Sequence, residues 1–276
     1  ELLKSVIIAS ANDSAVALAE YLCGAEEAFV RRMNERAQEL GIENTHYVNC
    51  TGLPAQGHYT TARDVAKLSA HLDEHPLYYQ YSTIWMDEIL HRGGRVTGLT
   101  NTNRLIRFYP GCDGYKTGST NEAKYCISAT AKKDGMRLIA VVLGTPAGQT
   151  RFDEARAMLE YGFAGYQMFS AVGEGEALNM SVPVRLGGRD SVSVVSGGDC
   201  GLLIKKGGQG DISLEAALVE SVHAPVCEGD VLGEIRVKQG ERIVAIVPAV
   251  AGETVQLPGI IDALIRIRDH FMLKAT

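Results

Sequence analysis

Lys116-Thr117-Gly118 sets an ammonium, a hydroxyl and a residue without a side chain in three consecutive positions. On an edge strand such a triplet offers positive charge, a donor and close backbone approach, which suits an anionic, peptide-like ligand laid alongside. Ser10-Ala11-Asn12 offers two more polar side chains between two helical segments, where both can point into one cleft. Each triplet alone has a plain structural explanation, a polar strand entrance for the first and helix capping for the second. Together they say more. About a hundred residues separate them, and a strong hairpin pattern follows the second.

The elements that must position these residues are legible from periodicity. Residues 2–9 are apolar and read as the end of a helix already in progress, so the expectation is a chain cut from a longer one. It opens on Glu1-Leu2-Leu3-Lys4, without a charged-then-apolar leader. Residues 13–23 read as a helix stopped by Gly24. In residues 26–40, Val30, Met33, Ala37 and Leu40 form one apolar stripe, and Gly41 closes the segment. Thr61 followed by Asp64 has the form of a helix N-cap, opening a helix to about His71. Residues 125–132 and 136–144 are strands joined through Lys133-Asp134-Gly135, a strong hairpin signal. Residues 151–161 are a helix, and 162–173 read as the exit from the domain. Beyond residue 178, short alternating runs at 180–186, 191–195, 202–205 and 243–247 stand between glycine-rich turns, the texture of a small all-β sandwich. Residues 259–276 return to helical periodicity with a broad apolar face that includes Ile260, Ile261, Leu264, Ile265 and Phe271.

The 276 residues, 46% hydrophobic and 22% charged, are ordinary for a folded chain with one large domain and a small one. A formal charge of −6 gives no general reason to expect nucleic-acid binding. No apolar run reaches the roughly 18 residues that would suggest a membrane-spanning helix. Cys23, Cys50, Cys112, Cys126, Cys200 and Cys227 show no CxxC pair and no zinc-like spacing; free thiols are expected, and a disulfide stays possible.

Active-site serine enzymes that recognise penicillin use Ser-x-x-Lys, Ser-x-Asn and Lys-Thr-Gly in that chain order. The stretch Ser10-Ala-Asn-Asp-Ser-Ala-Val-Ala-Leu-Ala-Glu-Tyr, with Glu27-Ala-Phe-Val, Met33-Asn34, Leu40-Gly41 and Asn44-Thr45, resembles the low-molecular-mass penicillin-binding proteins. These are the D-alanyl-D-alanine carboxypeptidases of bacterial cell-wall maturation. Thr51-Gly52-Leu53, Thr60-Thr61-Ala62-Arg63-Asp64, Asp113-Gly-Tyr-Lys-Thr-Gly-Ser119 and Met136-Arg137-Leu138-Ile139 continue the match, and the β-rich segment resembles their second domain.

The resemblance implies an α/β (α+β) penicillin-binding, transpeptidase-like domain over residues 1–168, incomplete at its N-terminus. A small β-sandwich would follow at 169–257, then an amphipathic helix at 258–276. Ser10 would relay a proton between the catalytic lysine and the leaving D-alanine nitrogen, and Asn12 would hold that lysine and the substrate amide. Lys116 would keep positive potential over the site. The Ser119 backbone N–H would donate to an oxyanion. Thr117 and Ser119 hydroxyls, Gly118's open backbone and Arg151, whose fork suits a carboxylate, would read the substrate's free chain end. The implied partners are peptidoglycan stem peptides and β-lactams, with no cofactor and no metal. The implied location is the cell-wall side of the bacterial membrane, with the terminal helix either docked on its own domain or lying on the membrane surface. A non-catalytic wall-binding or scaffold module of the same descent is the alternative.

The main departure is that no Ser-x-x-Lys occurs. Ser128-Ala-Thr-Ala-Lys132 has one residue too many, so the nucleophile is expected outside these residues, N-terminal to Ser10 in the parent chain or on a partner chain that carries that segment. Thr51 stands where some relatives have a histidine. His71-Leu-Asp-Glu74-His75 matches a zinc-peptidase pattern, but Pro76 should break the helix it needs. Residues 224–233 faintly resemble a biotinyl-type turn but lack its lysine, and read as a structural β-turn.

Overall fold

A computed structural model describes residues 1–259 and divides the chain into two compact units, Glu1–Gly165 and Tyr166–Thr276. The expected terminal helix lies outside the described residues. No described helix is long and apolar enough to cross a membrane.

The first unit begins with three helices, α1 (Leu2–Ala9), α2 (Asn12–Cys23) and α3 (Glu26–Glu39). Gly24 takes the left-handed conformation that ends α2, with φ of 82°. After a long loop come α4 (Ala62–Leu72) and α5 (Pro76–Ser82), the former capped by Thr61 accepting from the Asp64 backbone N–H. A hairpin of β1 (Met86–Leu90) and β2 (Val96–Thr100) precedes a single turn, α6 (Leu105–Phe108). Then β3 (Cys112–Thr120), β4 (Lys124–Lys133) and β5 (Met136–Thr145) form an antiparallel sheet in that order, followed by α7 (Thr150–Gly165). Asp134 and Gly135 both have positive φ at the β4–β5 turn, as a type I′ hairpin requires.

Alternation along β4 decides which helix covers which face. Ile127, Ala129 and Ala131 are fully buried in a core with Phe152, Ala155 and Leu159 of α7. The intervening Ser128 points the other way and meets Ser69 of α4 at 2.7 Å. Ile7 of α1, Tyr78 of α5 and Tyr115 of β3 make a separate small core. Helix α7 runs four residues past its expected end. A side chain at Gly162 would come within 2.4 Å of the Leu138 side chain, so this glycine permits close packing on β5 rather than ending the helix. Packing outweighs the roughly 1 kcal/mol helical penalty of glycine.

The second unit contains β6 (Tyr166–Val172), β7 (Ala177–Arg185), β8 (Ser191–Ser196), β9 (Cys200–Lys205), β10 (Ile212–Leu218), β11 (Val222–His223), β12 (Val231–Gln239) and β13 (Arg242–Ala251). Six of them form a sheet in the order β10-β12-β13-β8-β7-β11, while β6 pairs with β9. Val182, Val192, Val194, Ile235 and Val237 of the larger sheet share one core with Val172 and Cys200 of the smaller, so the two sheets enclose a common apolar layer. Gly233 allows the Ala217 carbonyl to approach at a bulge in β12, where any Cβ would meet it at 2.2 Å. Residues 224–233 are indeed a turn leading into β12: Cys227 N–H donates to Asp230, and Gly229 has φ of 89°.

Candidate active site

The cleft is built around strand β3, and its first half is locked before its second half begins. Ser82 Oγ donates to the Asp113 carbonyl at 2.5 Å, Asn103 Nδ2 to Gly114 at 3.1 Å and Tyr78 OH to Tyr115 at 3.0 Å. Arg137 of β5 then grips Asp113 through both carboxylate oxygens, at 2.7 and 3.0 Å, while its Nε meets Asp73 at 2.7 Å. The guanidinium also lies 5.0 Å from the Tyr79 ring centre. A short loop after β2 ties this frame to α1. Asn101 Nδ2 donates to Ser82 and Ile84 carbonyls, Thr102 N–H donates to Ile8, and Thr102 Oγ1 accepts from Thr117 Oγ1 at 2.7 Å.

Ser10 arrives from the opposite wall. It closes α1 with φ of 59° and ψ of 41°, a left-handed conformation that costs a non-glycine residue about 1 kcal/mol. The N–H groups of Ser10 and Ala11 both turn back to the Ser5 carbonyl, so the chain holds the strained turn from within α1. Neither Ser10 nor Asn12 acts as a side-chain cap: the N-cap of α2 is Ala11, and it makes no side-chain capping bond. Instead, Lys116 Nζ donates to Ser10 Oγ at 2.6 Å and to the Thr117 carbonyl at 2.9 Å. Asn12 is exposed at the first position of α2, and its side chain has no hydrogen-bond partner among the described residues.

All seven candidate residues, Ser10, Asn12, Lys116, Thr117, Gly118, Ser119 and Arg151, line one cavity of about 470 Å³. A Cβ built at Gly118 would meet nothing within 4 Å, whereas at Gly114 it would meet Thr130 and Tyr78. The glycine of the triplet therefore leaves room on the cleft side. Arg151 projects from the first turn of α7, donates to the Gly118 and Cys126 carbonyls at 3.0 and 3.3 Å, and lies 4.8 Å from the Phe152 ring centre. The cavity walls hold these two cations and no aspartate or glutamate. Burial first, then repulsion from Arg151, pushes Lys116 down to about 8. Burial likewise lowers Arg151. Two partly desolvated cations with no carboxylate in the cavity give this space a positive potential.

Sequence reading missed Thr102, which anchors Thr117, and the wall of Cys50 and Leu53 facing β3. That wall is shaped by Asn49, whose Oδ1 accepts from the Thr51 and Gly52 N–H groups, an Asx turn with Gly52 at φ of 81°. Burial first, then the Glu26 carboxylate, pushes the Cys50 thiol up to about 11, which disfavours its thiolate form. His71 lies in the last turn of α4, while His75 is already the N-cap of α5, so they do not share a helix. All six cysteines are free.

Residues 1–147 match the family described as D-alanyl-D-alanine carboxypeptidase, more than half of the chain. The chain belongs to that family. Residues 166–257 match the family described as penicillin-binding protein 5, C-terminal domain. D-alanyl-D-alanine carboxypeptidase DacF of Bacillus subtilis is 37% identical over 96% of this chain and 68% of its own length. DacC of Escherichia coli is 32% identical over 99% and 67% respectively, so the chain spans about two thirds of these relatives. Among solved structures, penicillin-binding protein 5 from Haemophilus influenzae superposes with a TM-score of 0.68 at 30% identity, covering 92% of this chain and 74% of that one. A Streptococcus pneumoniae protein titled a peptidoglycan synthesis regulatory factor (PBP3) gives 0.73 at 26% identity, covering 92% and 77%. The family is one of serine peptidases, yet these 276 residues contain no Ser-x-x-Lys.

Proposed function

We propose that this chain supplies the proton-handling and carboxylate-reading walls of a serine D-Ala-D-Ala carboxypeptidase site whose nucleophile lies outside these residues. The carrying observation is the 2.6 Å bond between Lys116 and Ser10 in a cleft that holds two cations and no carboxylate. In this reading, the nucleophilic serine attacks the carbonyl between the two D-alanines, and the resulting oxyanion accepts from the Ser119 backbone N–H. The nucleophile's proton, taken up by the catalytic lysine of its own Ser-x-x-Lys segment, passes through Ser10 to the departing D-alanine nitrogen, with Lys116 holding the Ser10 hydroxyl. Asn12, its side chain unpartnered and exposed to the cleft, holds the substrate amide. Arg151, Ser119 and Thr117, whose hydroxyl turns from Thr102 to the ligand, bind the terminal carboxylate, which is what makes the enzyme read a chain end. Gly118 lets the peptide approach the strand. Water then hydrolyses the acyl-enzyme, and a β-lactam would acylate the same serine.

Such a site works on peptidoglycan stem peptides, which places it on the cell-wall side of the membrane. The 258–276 segment would hold it at the membrane surface, and a partner chain carrying the missing segment is the other way to complete the site. A wall-binding module without catalysis would have no use for a desolvated lysine bonded to a strained serine. The test is made on the full-length gene product. It should bind labelled penicillin covalently and release D-alanine from a pentapeptide stem, and failure at both would end this reading.

A further inference from the structure

The cleft continues past Arg151. A second hollow, of about 550 Å³, opens on its far side, and Arg151 and Thr102 line both spaces. Its other principal walls are Trp85, just before β1, Arg104, at the entry to α6, and Phe152. Arg104 is exposed and makes no ion pair among the described residues. It lies close enough to Arg151 for the two charges to repel. No aspartate or glutamate lines the hollow; Asp153, a turn further along α7, takes the Gln149 amide at 2.9 Å instead. Trp85 is held from behind by Phe108, ring to ring at 6.0 Å, and by the Arg107 guanidinium at 5.5 Å. A firm indole wall beside an uncommitted guanidinium suits a short apolar stem that ends in a carboxylate.

This placement constrains what can enter. In the reading above, Arg151 and Thr117 hold the terminal carboxylate, so only the side chain of the terminal residue leads onward, and the methyl of alanine is too short to do so. We propose that the hollow receives the side chain of a C-terminal D-amino acid longer than alanine and carrying a carboxylate, with Arg104 as the residue that selects it. The enzyme would then accept stems with acidic ends as well as D-Ala-D-Ala. The proposal rests on the terminal-carboxylate role of Arg151.

Trp85 is the only tryptophan of the chain, so its emission reports on the hollow directly. The experiment titrates the chain with an acylated D-Ala-D-Glu dipeptide and with its D-Ala-D-Ala counterpart. Calorimetry gives affinity and Trp85 fluorescence gives location. The glutamate-ended peptide should bind about three- to tenfold more tightly at low ionic strength, change Trp85 emission, and lose its advantage as salt is added. Arg104→Gln should abolish the preference without altering D-Ala-D-Ala affinity, and Arg104→Lys should restore part of it. Equal affinities in the unaltered chain, or a preference that survives Arg104→Gln, overturn the proposal while leaving Arg151's role standing. Failure to bind either peptide removes the terminal-carboxylate reading, and the proposal with it.

Discussion

In residues 113–115 of β3, every carbonyl accepts from a buried or half-buried side chain, and the one carboxylate is gripped by an arginine fork. In residues 116–119, directly after it, the lysine is buried without a counter-charge, the cleft side of the glycine is open, and Ser119 is exposed. The same strand thus has a half that is satisfied by its neighbours and a half that waits for a ligand. The first is built to be stable, and it makes the second affordable. A frame that fixes the strand up to Tyr115 lets Lys116 and Thr117 stay in place without stabilising contacts of their own to every polar atom.

The contrast breaks most visibly at Lys116. Lys116→Met in the full-length enzyme should lower the rate of D-alanine release by about 10²–10⁴-fold, because the cation and its bond to Ser10 both vanish. A steady-state assay of D-alanine release checks this. A fall of less than tenfold would mean that the cation over the cleft is dispensable.

On the satisfied half, Arg137→Met should destabilise the chain by about 3 kcal/mol. It leaves Asp113 and Asp73, both half-buried and Asp73 the more exposed, without the cation that pairs them. Arg137→Lys should recover only part of that, since an ammonium cannot span both carboxylates as the fork does. Urea unfolding of the two variants gives the comparison. If both were as stable as the parent, the clamp would be ornamental.

How far the sequence revealed this differs between the two halves. The ligand-facing residues carry their signal locally: Lys116-Thr117-Gly118 and Ser10-Ala11-Asn12 are recognisable as triplets, and Thr61, Gly24 and Asp134-Gly135 announce their turns by residue type. The supporting half carries none. Tyr78, Ser82 and Asn103 act on β3 from 37, 31 and 11 positions away, through bonds that only the fold brings about. The hairpin of β1 and β2 escaped notice because only Leu99 of its ten residues is buried, too little to write an apolar alternation. β10 and β12 were hidden by charged residues: Arg236 and Lys238 of β12 reach across to Glu215 of β10, and Glu234 pairs with Arg236 along β12. The glycine at 162 looked like a stop because its purpose, closeness to Leu138, is not written in its neighbours.

A finer probe of the satisfied half is Tyr78→Phe. The ring keeps its packing against Tyr115 and Tyr79, while the Tyr115 carbonyl loses its donor. The expected loss is about 1–2 kcal/mol, the penalty of a buried acceptor left unpaired. Thermal unfolding of the chain measures it. No change in stability would show that solvent reaches this edge of β3 after all.

The smallest expected effect is a gain, and its pH dependence identifies its source. Burial holds Lys116 at about 8 in the folded chain, against about 10.4 for an unfolded lysine. Between those two values the unfolded form binds a proton that the folded form does not, so stability rises with pH across that window. Below about 8 the folded chain carries the charge and pays the full desolvation penalty. Lys116→Met removes it, and after allowance for the water in the cleft and the two lost hydrogen bonds the variant should be more stable by about 1 kcal/mol at pH 7. The advantage should shrink as pH climbs from 8 toward 10, where the wild-type lysine is already neutral in the fold. A series of denaturant midpoints from pH 6 to pH 10 separates this from a general packing gain, which would be flat. A variant less stable than the parent at pH 7 would instead mean that Lys116 is held by its bonds more strongly than it is opposed by its burial, and the two halves of β3 would then be alike.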